Sequence, residues 1–393
     1  MSRPIYFDNN ATTPVSPRVF EAMVPYLTEH YGNPSSAYGP GRRVRAAVEN
    51  AREQVATLLG AEAREITFTS CGTESNNAAI ASSIQLSGKR HLVVSAVEHS
   101  AVKNHAEALE RQGYAVTWLP VAPDGTLDPE AVTAALRPDT ALVSLMWANN
   151  ETGVTFPIAD IAERCAAAGV PFHTDAVQVP GKIPIQAGAA RIDYLSISGH
   201  KLHAPKGVGA LYIRRRAKFL PYLMGGHQEK GRRGGTENVA SIVGLGEAAV
   251  EALEHLQEEQ TRVRALRDRF ESTVLATIPG TGVNGHREHR LPNTSNLAFH
   301  GVAAEQVLAR LDQHHVCASA GSACTAGSME PSHVLRAMGV PREKALGSVR
   351  FSFSRANTDA EVDQVLGILP DLIQSLQDAP LSPEDLRSLT AAA

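Results

Sequence analysis

The chain is poor in the residues that would assign it to several protein classes. Four cysteines, Cys71, Cys165, Cys317 and Cys324, occur in 393 residues. They are too few and too irregularly spaced for the disulfide framework of a small secreted domain or for paired Cys-x-x-Cys zinc ligands. Aromatic residues make up only 5%, which argues against platforms for stacking nucleic-acid bases. Neither sign of charge prevails: 37 Lys and Arg against 41 Asp and Glu leave a net −4. That balance excludes the broad positive field of a nucleic-acid or membrane-surface binder. No apolar run approaches the roughly 18 residues of a membrane helix, and the first ten residues turn polar too soon for a signal peptide. Neither a Gly-x-Gly-x-x-Gly turn nor a Gly-x-x-x-x-Gly-Lys-Ser/Thr loop is present, so nucleotide enzymes lose ground. What remains is 43% hydrophobic, long enough for two domains and expected in the cytoplasm with reduced thiols.

From about residue 64 to 213, short β-branched runs alternate with helical patterns. The runs are Ile66–Thr69, His91–Val97, Tyr114–Leu119, Ala141–Met146, Pro171–Thr174, Tyr194–Ser198 and Val208–Ile213. Between them Asp128-Pro129 reads as a helix start and Gly169 as a helix stop. Such alternation predicts an α/β fold with a mainly parallel sheet between helices. Ligands then sit beyond the carboxyl ends of the strands. A long helical region, about 238–278, leads to a smaller α+β unit. That unit has strands near 295–299 and 349–354 and helices near 303–314 and 359–377. Ala318–Ser328 consists almost wholly of small residues around Cys324 and is expected to form a mobile loop.

The chemistry-bearing residues lie just after the strand runs. Lys201, flanked by Ser198 and His200, is placed for a Schiff-base lysine, although a lone lysine is usually a surface residue. Asp175 ends an apolar strand, where a carboxylate can hold a pyridinium nitrogen protonated or simply cap the next segment. Ser70-Cys-Gly-Thr-Glu-Ser75 offers glycine, hydroxyls and helix-start N–H groups, a weak phosphate-cradle pattern on its own. His99 is either a ring that stacks on a planar cofactor or a polar loop residue. Arg350 lies on the strand face opposite the apolar residues, as a carboxylate fork or an exposed strand arginine. His200, His203, Cys317 and Cys324 fit no standard zinc spacing, and a structural metal is rejected.

Taken together, these residues resemble the cysteine desulfurases of the NifS/IscS type, in class V of the fold-type I pyridoxal-phosphate enzymes. The markers run in order along essentially the whole chain. They include Tyr6–Pro14, Tyr31–Ser36, Thr69–Ser75, Val97–His99, Trp147–Gly153, His173–Gln178, Ser198–Lys201, Gly225–Glu229, Arg233–Asn238 and Gly321–Thr325. The wording around Trp147 and Ser328–Met338 is most like NifS, the nitrogen-fixation member. One departure is Ala320, where relatives often carry serine.

The resemblance implies a large cofactor-binding domain, 13–258, and a small domain formed by 1–12 and 259–393 that carries the loop at about 318–333. It implies removal of sulfur from L-cysteine to give L-alanine, with pyridoxal phosphate as cofactor. Lys201 would bind the cofactor, Asp175 its pyridine nitrogen and Gln178 its ring hydroxyl oxygen, while His99 would stack on the ring and serve as a base. Gly72, Thr73, Ser198, Gly199 and His200 would hold the phosphate, joined by Thr236 from the partner subunit of a homodimer. Asn150 would lie beside ring and substrate, and Arg350 with Asn33 would clamp the substrate carboxylate. Cys324 would be the nucleophile and persulfide carrier. It would also be a transient [2Fe-2S] ligand shared with an iron–sulfur scaffold protein of the NifU/IscU type. A selenocysteine lyase, a class V aminotransferase and a non-catalytic sulfur-relay scaffold are the alternative readings. Neither nucleic acid nor membrane is an expected partner.

Overall fold

The computed structural model describes residues 4–320 and 330–379. Its centre is a seven-stranded sheet in the order Ile66–Thr69, Gly209–Ile213, Tyr194–Ser198, Phe172–Asp175, Thr140–Met146, His91–Ser95, Ala115–Leu119. All seven expected runs are strands of this one sheet. The five from Tyr194–Ser198 to Ala115–Leu119 pair in parallel, and Gly209–Ile213 runs antiparallel to both of its neighbours. Every residue of Thr140–Met146, Phe172–Asp175 and Tyr194–Ser198 is buried. Burial on both faces explains why these runs do not alternate apolar and polar residues as a half-exposed strand would; the buried His173 is satisfied between Ser144 and Ser196.

Helix boundaries follow local chemistry. Asp128 caps Pro129–Ala135 by accepting from the Glu130 N–H, with Pro129 at the first turn. Ile158–Ala167 ends just before Gly169, whose φ of 66° suits a residue without a Cβ. The long region after Asn238 is not one helix. Val239–Glu254 and Arg264–Thr277 are joined through Leu256–Glu258 and a π-helical turn, Glu259–Val263.

A second core forms around the antiparallel strands Ser348–Ser352, Thr294–Ala298 and Gly282–Val283. Phe270, Phe351, Phe353 and Leu369 fill it, and Phe7 inserts from the chain start with its ring 4.6 Å from that of Phe353. The strand Ile5–Tyr6 pairs in parallel with Val316–Cys317. Val334, Leu335 and Met338 pack instead against the core of the large sheet. The first residues and the stretch after 330 are thereby both brought to the carboxyl edge of that sheet. Among the described residues, no helix is long and apolar enough to cross a membrane.

Candidate active site

A cavity of 510 Å³ opens at the carboxyl ends of the parallel strands, where a sheet of this kind exposes the turns that reach a ligand. Ten of the residues expected at the site line it. Gly72, Thr73, Ser198 and His200 come from turns after strand ends. His99, Asn150, Asp175 and Gln178 supply polar side chains around the wall, and Lys201 and Arg350 supply cations.

Lys201 ends a short 3-10 turn, Gly199–Lys201, directly after a buried strand. Its Nζ donates to the carbonyls of Asn10 at 2.5 Å and Ala11 at 2.8 Å. Burial, with Arg350 and Lys182 nearby, lowers its pKa to about 7, against the pull of Asp8 and Asp175. An amine so placed is readily neutral and therefore able to act as nucleophile or base. His200 is pushed down to about 4, by burial first and then by Lys201 and its other neighbours, so its ring is uncharged.

Asp175 is 7% exposed. Its Oδ2 accepts from Asn76 Nδ2 at 2.6 Å, and its Oδ1 accepts from the Val177 N–H at 3.0 Å. The second contact is the local cap foreseen as the alternative role; the first turns the carboxylate toward the cavity-lining Asn76. His99 is the N-cap of Ser100–Arg111, its Nδ1 accepting from the Ala101 N–H at 3.2 Å. Its neutral ring therefore carries the proton on Nε2. Burial lowers its pKa, as does Lys201, while Asp175 opposes them.

Gly72 opens a 16-residue helix, so unpaired N–H groups face a ligand there. A Cβ at Gly72 would lie 2.6 Å from Val177 Cγ2 and 3.4 Å from Ser198 Cβ; only glycine leaves the cradle open. Gly199 is buried below this turn, where a Cβ would meet Val208 Cγ1 at 2.8 Å, and it does not line the cavity. Arg350 is no exposed strand arginine. It is 2% exposed, with Nη2 donating to Asp8 at 2.7 Å and Nη1 to the Asn150 carbonyl at 2.9 Å.

Besides Gly199, two more expected residues are not brought into the cavity by this chain. Asn33 is exposed, its Oδ1 accepting from the Ser35 N–H, and Thr236 is exposed at the end of a glycine-rich stretch. Cys324 lies outside the described residues. Sequence reasoning passed over Asn76, Asn10, Glu98 and Glu151. Glu98 and Glu151 are both 1% exposed or less. Their signal was present within the Val97–His99 and Trp147–Gly153 markers, but a carboxylate beside a more conspicuous histidine or asparagine gives no hint of burial.

A mainly parallel sheet flanked by helices, with a half-buried lysine and a buried aspartate at its carboxyl edge, is the fold-type I architecture of pyridoxal-phosphate enzymes. Residues 5–365 match the family model of the aminotransferase class-V proteins, and the chain belongs to that family. It is 53% identical over 380 residues to a cysteine desulfurase of Trichormus azollae, covering 96% of this chain and 94% of that protein. It is 50% identical over 376 residues to the cysteine desulfurase NifS of Azotobacter vinelandii, covering 95% and 94%. Among solved structures it is similar to a NifS-like protein, with a TM-score of 0.89 and 37% identity over 95% of this chain and all of that one.

The residues present fit pyridoxal phosphate. Gln178 Oε1 and Asn76 Oδ1 are buried without hydrogen-bond partners among the described residues, an arrangement that calls for a polar ligand. The open cradle at Gly72 suits a phosphate, and Lys201 is the amine that would carry the group.

Proposed function

We propose that this chain is a pyridoxal-phosphate-dependent cysteine desulfurase that converts L-cysteine to L-alanine and carries the sulfur as a persulfide on Cys324. The observation that carries the reading is the half-buried, readily neutral Lys201 sharing one cavity with Asp175 and Arg350, in a chain whose relatives at 50% identity and above are cysteine desulfurases.

Bound in this cavity, pyridoxal phosphate supplies an electron sink that weakens bonds at the substrate's α-carbon. Gly72, Thr73, Ser198 and His200 hold its phosphate, Asp175 its ring nitrogen and Gln178 its ring hydroxyl, with His99 against its face. Arg350 receives the substrate carboxylate alongside Asn150. Lys201 accepts the α-proton at Nζ. Cys324 acts as a thiolate on the substrate sulfur: an S–S bond forms as the C–S bond breaks, and the electron pair stays with carbon, which is later protonated to give alanine. His99 handles protons at Nε2.

The same reading divides the chain into a large unit, 13–258, and a small one, 1–12 with 259–393. It makes the enzyme a homodimer in which the exposed Thr236 of one subunit reaches the phosphate of the other. The persulfide passes to an iron–sulfur scaffold protein in the cytoplasm, in service of nitrogenase-type cluster assembly, and Cys324 there shares a transient [2Fe-2S] cluster. Incubation of the cofactor-loaded protein with L-cysteine and a reductant tests the activity. Equal alanine and sulfide are expected; amino-group transfer to a keto acid in their place would assign an aminotransferase.

A further inference from the structure

A second, smaller cavity of 20 Å³ lies behind Lys201, lined also by Lys182, His203, Glu259, Arg355 and Asn9. Nothing in the proposed reaction uses Lys182 or Glu259, yet both are buried, at 6% and 5% exposure. Charges are taken out of water at high cost unless something on the other side answers them. Lys182 Nζ donates to the Gln178 carbonyl at 2.9 Å. Gln178 Nε2 in turn donates to the Asn10 carbonyl at 3.0 Å, the same oxygen that accepts from Lys201. Lys182 therefore braces the backbone of Gln178, whose side chain shares the Asn10 carbonyl with Lys201.

Glu259 answers it from across the cavity. It opens the π-helical turn Glu259–Val263, an irregularity frequent at functional sites. Its Oε1 accepts from the Arg355 N–H at 3.1 Å, while Oε2 is buried without a partner among the described residues. A space of 20 Å³ admits about one water molecule.

We propose that Lys182 is a positioning residue for catalysis, holding Gln178 and setting the charge behind Lys201, with one buried water bridging it to Glu259. This inference rests on the reading of Lys201 as the cofactor lysine. The charged and titratable groups facing Lys201 are Arg350, Lys182, Asp8 and Asp175, with His99 and His200 beside it. Lys182 itself faces Glu259 and Arg350, with His203 in its field. Burial brings the Lys182 pKa down to about 8, with Glu259 opposing, so it is largely a cation at neutral pH and repels a proton on Lys201.

The test is a pH titration of the absorbance of the bound cofactor in the holoenzyme, alongside the pH profile of kcat. In Lys182→Met and Lys182→Gln both midpoints are expected to move alkaline by about 0.5 pH unit or more. Lys182→Arg, which keeps the charge, should leave them in place. Lys182→Gln keeps a donor for the Gln178 carbonyl and decides the matter if the methionine variant does not fold. A folded, neutral variant with unmoved or acid-shifted midpoints overturns the proposal. Wild-type protein that binds pyridoxal phosphate but forms no alanine overturns the functional reading instead. A high-resolution holoenzyme structure should show one water within hydrogen-bond reach of Lys182 Nζ and Glu259 Oε2; a dry cavity would overturn the bridge.

Discussion

Asp8 accepts a hydrogen bond from Arg350 Nη2 at 2.7 Å, although 342 residues separate the two in sequence. The other carboxylate oxygen of Asp8 accepts from Ser319 Oγ at 3.0 Å, and Ser319 exchanges two backbone hydrogen bonds with Arg350. The chain start, the strand Ser348–Ser352 and the last residues before the Cys324 segment thus meet at one ion pair. Asp8→Asn keeps an acceptor but removes the carboxylate charge that faces a guanidinium only 2% exposed. The expected loss in stability is about 3 kcal/mol, the usual result of breaking a buried pair from one side. Urea unfolding measures it, and a loss under about 1 kcal/mol would show the pair to be dispensable.

Arg350→Lys tests the clamp itself. Arg350 already holds Asp8 and the Asn150 carbonyl through separate nitrogens, and a lysine's single point charge cannot reproduce that fork. The KM for L-cysteine is expected to rise by about tenfold to a hundredfold with a smaller change in kcat. Steady-state kinetics would contradict the role if kcat fell and KM did not move.

Gly72→Ala should separate cofactor binding from folding. The added methyl group meets Val177 Cγ2 at 2.6 Å and shifts the start of the helix where the phosphate cradle lies. Affinity for pyridoxal phosphate is expected to fall by about tenfold or more, with circular dichroism unchanged. Fluorescence titration of the apoprotein gives the constant; unaltered affinity would place the phosphate elsewhere.

How much of this was legible beforehand depends on the range of the interaction. The strands were readable because burial in a sheet favours short β-branched and aromatic runs, including the half-buried edge strand Ala115–Leu119, and Lys201 and Asp175 were readable because they stand at or just after the ends of two such runs. Arg350 was placed on the correct face of its strand, but its burial comes from Asp8 and Ser319, neither of which is a sequence neighbour. The lowered pKa of Lys201 likewise depends on burial and on the nearby cations Arg350 and Lys182, neither of them a sequence neighbour. The π-helical turn at Glu259 interrupts a charged run that reads as plain helix, since one inserted residue alters no local propensity. Asn33 and Thr236 were carried by resemblance alone, and a single chain does not bring either to the cavity.

Glu98 carries a prediction about pH. It is fully buried; its Oε1 accepts from Ser95 Oγ and the Met146 N–H, and Oε2 has no partner among the described residues. Burial, assisted by Asp175, pushes its pKa up to about 8 from the ordinary carboxylate value of 4.5. The folded state therefore holds this proton more tightly than the unfolded chain. Its contribution to stability is fully present below pH 4.5 and is lost as pH rises through about 8. Glu98→Gln keeps the acceptor oxygen and is uncharged at every pH. Its stability relative to wild type should increase between pH 5 and pH 9 in paired denaturation curves, whereas an identical difference at both pH values would refute the buried acid.

The central claim is that Lys201 and the bound cofactor loosen the sulfur that Cys324 then takes. Intact-protein and peptide mass spectrometry after incubation with L-cysteine reads that event directly, with alanine measured in the same sample. The account predicts one added sulfur atom on Cys324 and an equal amount of alanine in wild type, and neither in Lys201→Ala. Alanine formed at the wild-type rate by Lys201→Ala, or by wild type with the sulfur on a different residue, would contradict it.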